Sequence, residues 1–316
     1  MKIVKLTFNY DWPLFRQTPN FSGIWGDYKF VIDDNLKECD YWVVYSEFNL
    51  KREECVCDKT NIIFIPAEGY ETSPRFSKDF LKQFGRIITV QRQIKGKNVM
   101  YWQNANPWFV ERSYDELINL KIPEKTKLIS VVSSDKAFTE GHRRRIKFCE
   151  ELKKHFGDRM DFFGRGIRDF ENKWDVLAPY KYHIAIENDF LEDWVTEKFF
   201  DPLLTYTFPL YYGCPNLSKY ISENSFKRID INDCQKAINI IEIAINDDLY
   251  GEFITNIDEY RETALNEQQF FPMLAYFLKQ LEKGNEKNLN IIEPSIISKE
   301  NILRKIKRKI KSIYKP

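Results

Sequence analysis

The stretch YKYHIAIENDFLEDWVTEKFFDPLLTYTFPLYYGCPN, residues 180–216, decides the fold class. One apolar run, 183–186, ends in Glu187-Asn188 and a polar loop; a second, 208–212, ends at Gly213. Between them the chain turns helical at Thr196, a residue type favoured as an N-cap. Short apolar runs bounded by Gly, Asn, Asp or Pro and separated by helices read as buried parallel strands. The first turn of a helix after such a strand has free backbone N–H groups and the positive end of the helix dipole. It faces the crevice at the carboxyl ends of the strands. Glu197 and Lys198 occupy that turn. A phosphate-bearing ligand fits there, with Lys198 as a cation for a diphosphate and Glu197 as an acceptor for sugar hydroxyls. On spacing alone, a solvated ion pair on a surface helix is the simpler reading.

Similar runs recur at 3–8, 41–45, 62–65, 87–90 and 128–132. A helical pattern fills 141–156, with Ile146, Cys149, Leu152 and Phe156 on one face. From Asp233, an N-cap type, to residue 282 the pattern is mostly helical, with Ile238, Ile241 and Ile245 on one stripe and Leu274, Phe277, Leu278 and Leu281 on another. Strand and helix alternate, so the class is α/β. The polar stretch NLKIPEKTK, 119–127, separates two strand-rich halves. The expected domains are 1–122 and 123–282, followed by a linker and tail at 283–316.

The 316 residues hold 48 Lys+Arg against 47 Asp+Glu, with 43% hydrophobic and 30% charged residues. That is too apolar for a disordered chain and too charged for a membrane-embedded one. No run approaches the ~18 apolar residues of a membrane span. A formal charge of +1 argues against a nucleic-acid partner. The first ten residues read as a strand, not a signal peptide, so the chain is expected in the cytoplasm. Six cysteines are then expected as thiols, and Cys55-x-Cys57 lacks the second pair that a zinc site needs. His142, His155 and His183 show no metal-ligand spacing. The near-neutral total conceals a basic end: residues 299–316 hold Lys299, Arg304, Lys305, Lys307, Arg308, Lys309, Lys311 and Lys315 against Glu300 alone. Ile302, Ile306, Ile310 and Ile313 share one helical face, the pattern of a basic amphipathic helix that docks on an anionic membrane surface.

The opening stretch resembles the donor-binding motif of the alpha-1,3/1,4-fucosyltransferases of bacterial type, glycosyltransferase family 10. The residues that carry the likeness are Tyr180-Lys181-Tyr182, Ile186-Glu187-Asn188, Asp193-Trp194-Val195-Thr196-Glu197-Lys198, Pro209 and Gly213-Cys214-Pro215. Upstream it continues through Val131-Val132-Ser133-Ser134, then Arg145-Ile146-Lys147-Phe148 with Leu152, then Met160-Asp161-Phe162-Phe163-Gly164-Arg165-Gly166. The Phe148 and Leu152 spacing selects Arg145 over Arg143 and Arg144, and a guanidinium fork suits a pyrophosphate. In the first half, Ile62-Ile63-Phe64-Ile65-Pro66-Ala67-Glu68 resembles the strand that leads to the family's general base, with Glu71 as the fallback. Two departures stand in the motif: Trp194 where Tyr is usual, and Asp189 where Ser is usual.

The resemblance implies a GT-B fold, two Rossmann-like domains facing a central cleft, here with a basic amphipathic helix at the C-terminus. It implies an inverting, metal-independent transfer of L-fucose from GDP-fucose to a GlcNAc- or Glc-containing glycan in surface polysaccharide or protein glycan synthesis. Glu68 would be catalytic. Ser133, Arg145, Arg165, Tyr182, Glu187, Asn188, Trp194, Glu197 and Lys198 would bind the donor. Partners would be GDP-fucose, an oligosaccharide acceptor and, through 299–316, the inner face of the membrane, with no cofactor required. Two other readings are a GT-B transferase using another nucleotide sugar, and a catalytically silent glycan- or membrane-binding protein.

Overall fold

A computed structural model describes residues 1–8, 10–46, 52–69, 76–133, 140–281 and 287–292, with side chains for all but 140–142 and 287–292. The chain folds into two compact units. One contains Met1–Pro13, Gly23–Asn104 and the described residues from Ala275 on; the other contains Leu14–Ser22 and Ala105–Leu274.

The first unit holds β1 (Lys2–Phe8), β2 (Ile24–Trp25), β3 (Tyr28–Val31), β4 (Tyr41–Tyr45), β5 (Glu53–Asp58), β6 (Ile62–Ile65), β7 (Arg86–Thr89) and β8 (Val99–Tyr101). Seven of these form one sheet in the order β2-β3-β1-β4-β6-β7-β8. Its pairs are parallel except β2 with β3. β4 and β6 are buried at every position, as their unbroken apolar sequences YWVVY and IIFI require of strands covered on both faces. The short helix α1 (Lys78–Leu81) is capped by Ser77 and carries Phe80 onto Phe64, where Phe84 stacks at 4.7 Å. Lys5 is buried in mid-strand, 3.0 Å from Glu53, which also accepts a hydrogen bond from Thr7. Removing either ion would leave its partner charged in the core. β5 exposes alternate residues, so Cys55 and Cys57 both face inward beside Cys39, the Cys39 and Cys55 sulfurs 3.5 Å apart. The C-x-C spacing is therefore the two-residue period of a strand.

The second unit holds α2 (Tyr114–Ile118), β9 (Lys127–Val132), α3 (Glu140–Phe156), β10 (Met160–Phe163), β11 (Tyr180–Ile186), α4 (Glu197–Leu204), β12 (Phe208–Tyr212) and β13 (Lys227–Arg228). It continues through α5 (Cys234–Asn246), α6 (Leu249–Thr255) and α7 (Ile257–Thr263), and α8 (Phe270–Gln280) follows. Its sheet runs β10-β9-β11-β12-β13, parallel throughout. On α3 the buried residues are Arg145, Phe148, Cys149, Leu152 and Phe156, with Ile146 only half-buried. The inward face is thus rotated slightly from the expected stripe, which puts Arg145 inside.

The division differs from the boundary expected at 119–127. Residues 105–122 pack within the second unit: Phe109 donates to Asp201, Arg261 to the Leu117 carbonyl, and Tyr206 to the Leu120 carbonyl. Lys125 donates to the carbonyls of Ala178 and Thr205 and to the Thr207 hydroxyl, and burial pushes its amine down to about 7. The segment is polar because it lies at the surface of that unit. Residues 287–292, expected as linker, form β14 (Lys287–Ile292), antiparallel to β5. The expected tail helix at 299–316 and the fallback base Glu71 lie outside the described residues. No helix among the described residues is long and apolar enough to cross a membrane.

Candidate functional site

In the second unit, neighbouring β9 and β11 end at Ser133 and at Glu187-Asn188. Helix α3 brings Arg145 to that edge, where its Nε donates to Ser133 Oγ at 3.0 Å and its Nη1 to Asn188 Oδ1 at 2.5 Å. The guanidinium is 7% exposed, and burial lowers its pKa. Both partners are neutral. Among the described residues no carboxylate forms a direct ion pair with it, and Glu187 acts on it only through space, so a buried cation stands at the carboxyl edge of the sheet bonded to neutral groups alone.

Thr196 caps α4 by accepting from the Lys198 backbone N–H. The cap is held by Glu187, whose two oxygens take the Thr196 N–H and hydroxyl at 2.8 Å each. Burial pushes the Glu187 carboxyl up to about 7, against the pull of Lys198 3.8 Å away. Burial acts the same way on Glu197, but Lys198 and Lys173 outweigh it and bring this carboxyl down to about 2. Adjacent environments thereby separate two glutamates, one ionised throughout the neutral range and one poised within it. Lys198 lies 3.3 Å from Glu197; burial opposes its charge, the two glutamates restore it, and Arg145 repels it. Two mutually repelling cations and a helix N-terminus at one edge make a field for a polyanion.

The loop between β11 and α4 is fastened through Asp193, which adopts a left-handed backbone with φ 64°. Its carboxylate accepts from Asn216 at 2.9 Å, Lys219 at 3.0 Å and the Tyr220 hydroxyl at 2.5 Å. Gly213 is needed nearby, because a Cβ there would overlap the Tyr211 hydroxyl and the Glu187 side chain. Arg228 donates to the carbonyls of Cys214 and Pro215 and holds the turn beyond β12. Behind the cluster, Asp201 on α4 is fully buried and ion-paired to Lys173 at 2.6 Å. Asp193 stands in the motif read from the sequence, whereas Asp201 and Lys173 were not singled out there. The signal for Asp201 was present: a charge inside the apolar helix FFDPLL must be buried, and a buried charge needs a partner.

The structure thus brings Ser133, Arg145, Asn188, Glu197 and Lys198 together at this edge, while Tyr182 and Arg165 stand apart from them. Tyr182 sits mid-strand in the core, its hydroxyl donating to the Ala244 carbonyl and accepting from the Tyr250 N–H. Glu187 accepts from Thr196 with both oxygens, has Lys198 3.8 Å from one of them, and so positions the helix. Arg165 is exposed on the turn beyond β10 and joins none of these contacts. Trp194 is 3% exposed, with a buried indole N–H that finds no acceptor among the described residues. Of the three neighbouring arginines, Arg143 and Arg144 are exposed and Arg144 donates to Asn232.

In the first unit, Glu68 follows β6 and is half-buried; the buried Gln91, just beyond β7, donates to its carbonyl at 3.1 Å. Trp42 is fully buried and donates to Thr7. His183 is buried on Ser130, with burial pushing its pKa down to about 3. Among the described residues no group of three or more His, Cys, Asp or Glu could hold a metal.

Parallel strands flanked by helices, with a cationic helix terminus at their carboxyl edge, define an α/β protein built to hold an anionic ligand. The family model for glycosyltransferase family 10 (fucosyltransferase), C-terminal part, matches residues 122–291, more than half of the sequence. The chain belongs to that family. It is similar to alpha-(1,3)-fucosyltransferase FucT of Helicobacter pylori, 30% identical over 119 residues, which is 35% of this chain and 25% of that protein. It is also similar to GDP-fucose protein O-fucosyltransferase 3 of Danio rerio, 38% identical over 56 residues, 18% of this chain and 12% of that protein. These matches span a quarter or less of the relatives' own length. A crystal structure of an alpha1,3-fucosyltransferase superposes with a TM-score of 0.51 at 16% identity, covering 90% of each chain. The fold is GT-B.

Proposed function

We propose that the protein transfers L-fucose from GDP-fucose to a hydroxyl of a GlcNAc- or Glc-containing glycan, in α-1,3 linkage and with inversion, in surface polysaccharide or protein glycan synthesis. The observation that carries this is the buried Arg145 guanidinium, bonded to neutral oxygens beside Lys198 and the N-terminus of α4. A diphosphate supplies the directly bonded counter-ion that the described residues do not. The relatives' names support the sugar: one is named for alpha-(1,3)-fucosyl transfer and one for GDP-fucose.

In the reaction, an acceptor oxygen forms a bond to the anomeric carbon while the bond from that carbon to the diphosphate breaks. The acceptor proton passes to Glu68, and GDP departs. Arg145 and Lys198 take up the charge that grows on the leaving diphosphate, the electrostatic task a metal performs elsewhere, so no metal is required. Glu197, ionised, accepts from donor hydroxyls. Incubation with GDP-fucose and N-acetyllactosamine in EDTA should yield GDP and a fucosylated product. Absence of turnover with any galactose- or N-acetylglucosamine-containing acceptor would reject the assignment.

The tail extends the proposal. Residues 299–316 would dock the enzyme on the inner face of the membrane, isoleucines down and cations toward anionic headgroups. Removing 299–316 should abolish co-sedimentation with phosphatidylserine vesicles; undiminished sedimentation would refute the anchor.

A further inference from the structure

Two aromatic side chains flank the cationic cluster and take no part in the steps above. Phe190 is 57% exposed, two residues beyond Asn188. Its ring centre lies 5.3 Å from that of Tyr212, with the planes inclined at 35°. Tyr212 ends β12, is half-buried, and its carbonyl accepts the Glu187 N–H at 2.8 Å. The pair therefore stands at the same strand ends that carry Glu187 and Asn188.

A single exposed apolar side chain is ordinary on a protein surface. Phe190 differs in being paired, in adjoining a polar cluster, and in being held. The loop that bears it is tied at one end by Arg145 to Asn188 and at the other by Asn216, Lys219 and Tyr220 to Asp193. A ring presented on a fastened loop loses little freedom when a ligand covers it. The cluster itself offers charges and hydroxyl acceptors, which suit the diphosphate and the sugar oxygens. A nucleotide sugar also has ring faces, one on its purine and one on its 6-deoxyhexose, and these gain most from an aromatic surface.

We propose that Phe190 and Tyr212 form a platform that packs against a ring face of the donor nucleotide sugar. The proposal rests on the reading of GDP-fucose as donor, and the two possible rings are separated by comparing GDP with GDP-fucose. Calorimetric titration of both ligands into the unsubstituted protein, Phe190→Ala and Phe190→Trp is the test. Phe190→Ala should weaken binding about tenfold, the scale of one lost stacking contact, while Phe190→Trp stays within about threefold of the unsubstituted protein. Weakening of both ligands assigns the purine; weakening of GDP-fucose alone assigns the 6-deoxyhexose. Because Phe190 is exposed, both variants should melt at the unsubstituted temperature. Binding of both ligands unchanged by Phe190→Ala overturns this proposal alone, whereas no binding by the unsubstituted protein overturns the donor reading and this proposal with it.

Discussion

Lys198→Ala should lower affinity for GDP by about 100-fold, near 3 kcal/mol, because it removes a desolvated charge–charge contact to the diphosphate. Arg145→Ala should do the same, and Arg145→Lys should recover little, since an ammonium cannot span Ser133, Asn188 and a phosphate as the guanidinium fork can. The two losses should not add, because each cation already weakens the other. Lys198→Ala has a second expected consequence. It removes the cation that outweighs burial at Glu197 and opposes it at Glu187, so it leaves two buried carboxyls competing for protons. The folded-state pKa of Glu197 then rises. A carboxylate whose pKa is depressed on folding contributes stability above its unfolded value, lost as pH falls toward the folded one. The variant should therefore melt lower than the parent at neutral pH, with the gap closing between about pH 4 and pH 2. Calorimetry for GDP and melting curves across that window check both effects.

Glu68→Gln should reduce fucosyl transfer by about 10²- to 10⁴-fold, the usual loss when a general base is removed. GDP affinity should stay within about twofold, since Arg145, Asn188, Glu197 and Lys198 belong to the other compact unit. Gln is close to isosteric and leaves in place the Gln91 hydrogen bond, which goes to the Glu68 backbone. Glu71→Gln is the companion variant: loss of turnover there with Glu68→Gln active would move the base by three residues. Initial rates at saturating donor, with GDP titrations on the same preparations, separate these outcomes.

The strands β4, β6 and β12 were legible because each is an unbroken apolar run, and β1, β9 and β11 because apolar residues dominate them. β5 was not, because Glu53-Glu54-Cys55-Val56-Cys57-Asp58 buries alternate residues and looks polar when read linearly. β2, β8 and β13 have two or three residues and leave no pattern. The boundary was misplaced because polarity at 119–127 reports surface, whereas what assigns that segment to a unit is long-range: Lys125 to Thr205, and Tyr206 to Leu120. In the site, Thr196, Glu197 and Lys198 were readable from local helix chemistry. The inward hydrogen bonds of Tyr182 and Glu187 were not legible, for one reason. Their place in the motif was right, but whether a side chain at a strand faces the ligand edge or the interior depends on partners distant in sequence, Ala244 for one and Thr196 for the other.

The buried Arg145, hydrogen-bonded to neutral side chains, and its neighbour Lys198 are proposed to receive a diphosphate. A crystal structure of the protein with GDP-fucose tests this most directly. The expected result is diphosphate oxygens within about 3 Å of the Arg145 guanidinium and of Lys198 Nζ, at the first turn of α4. A nucleotide bound elsewhere, with Arg145 still engaged only by Ser133 and Asn188, would contradict it.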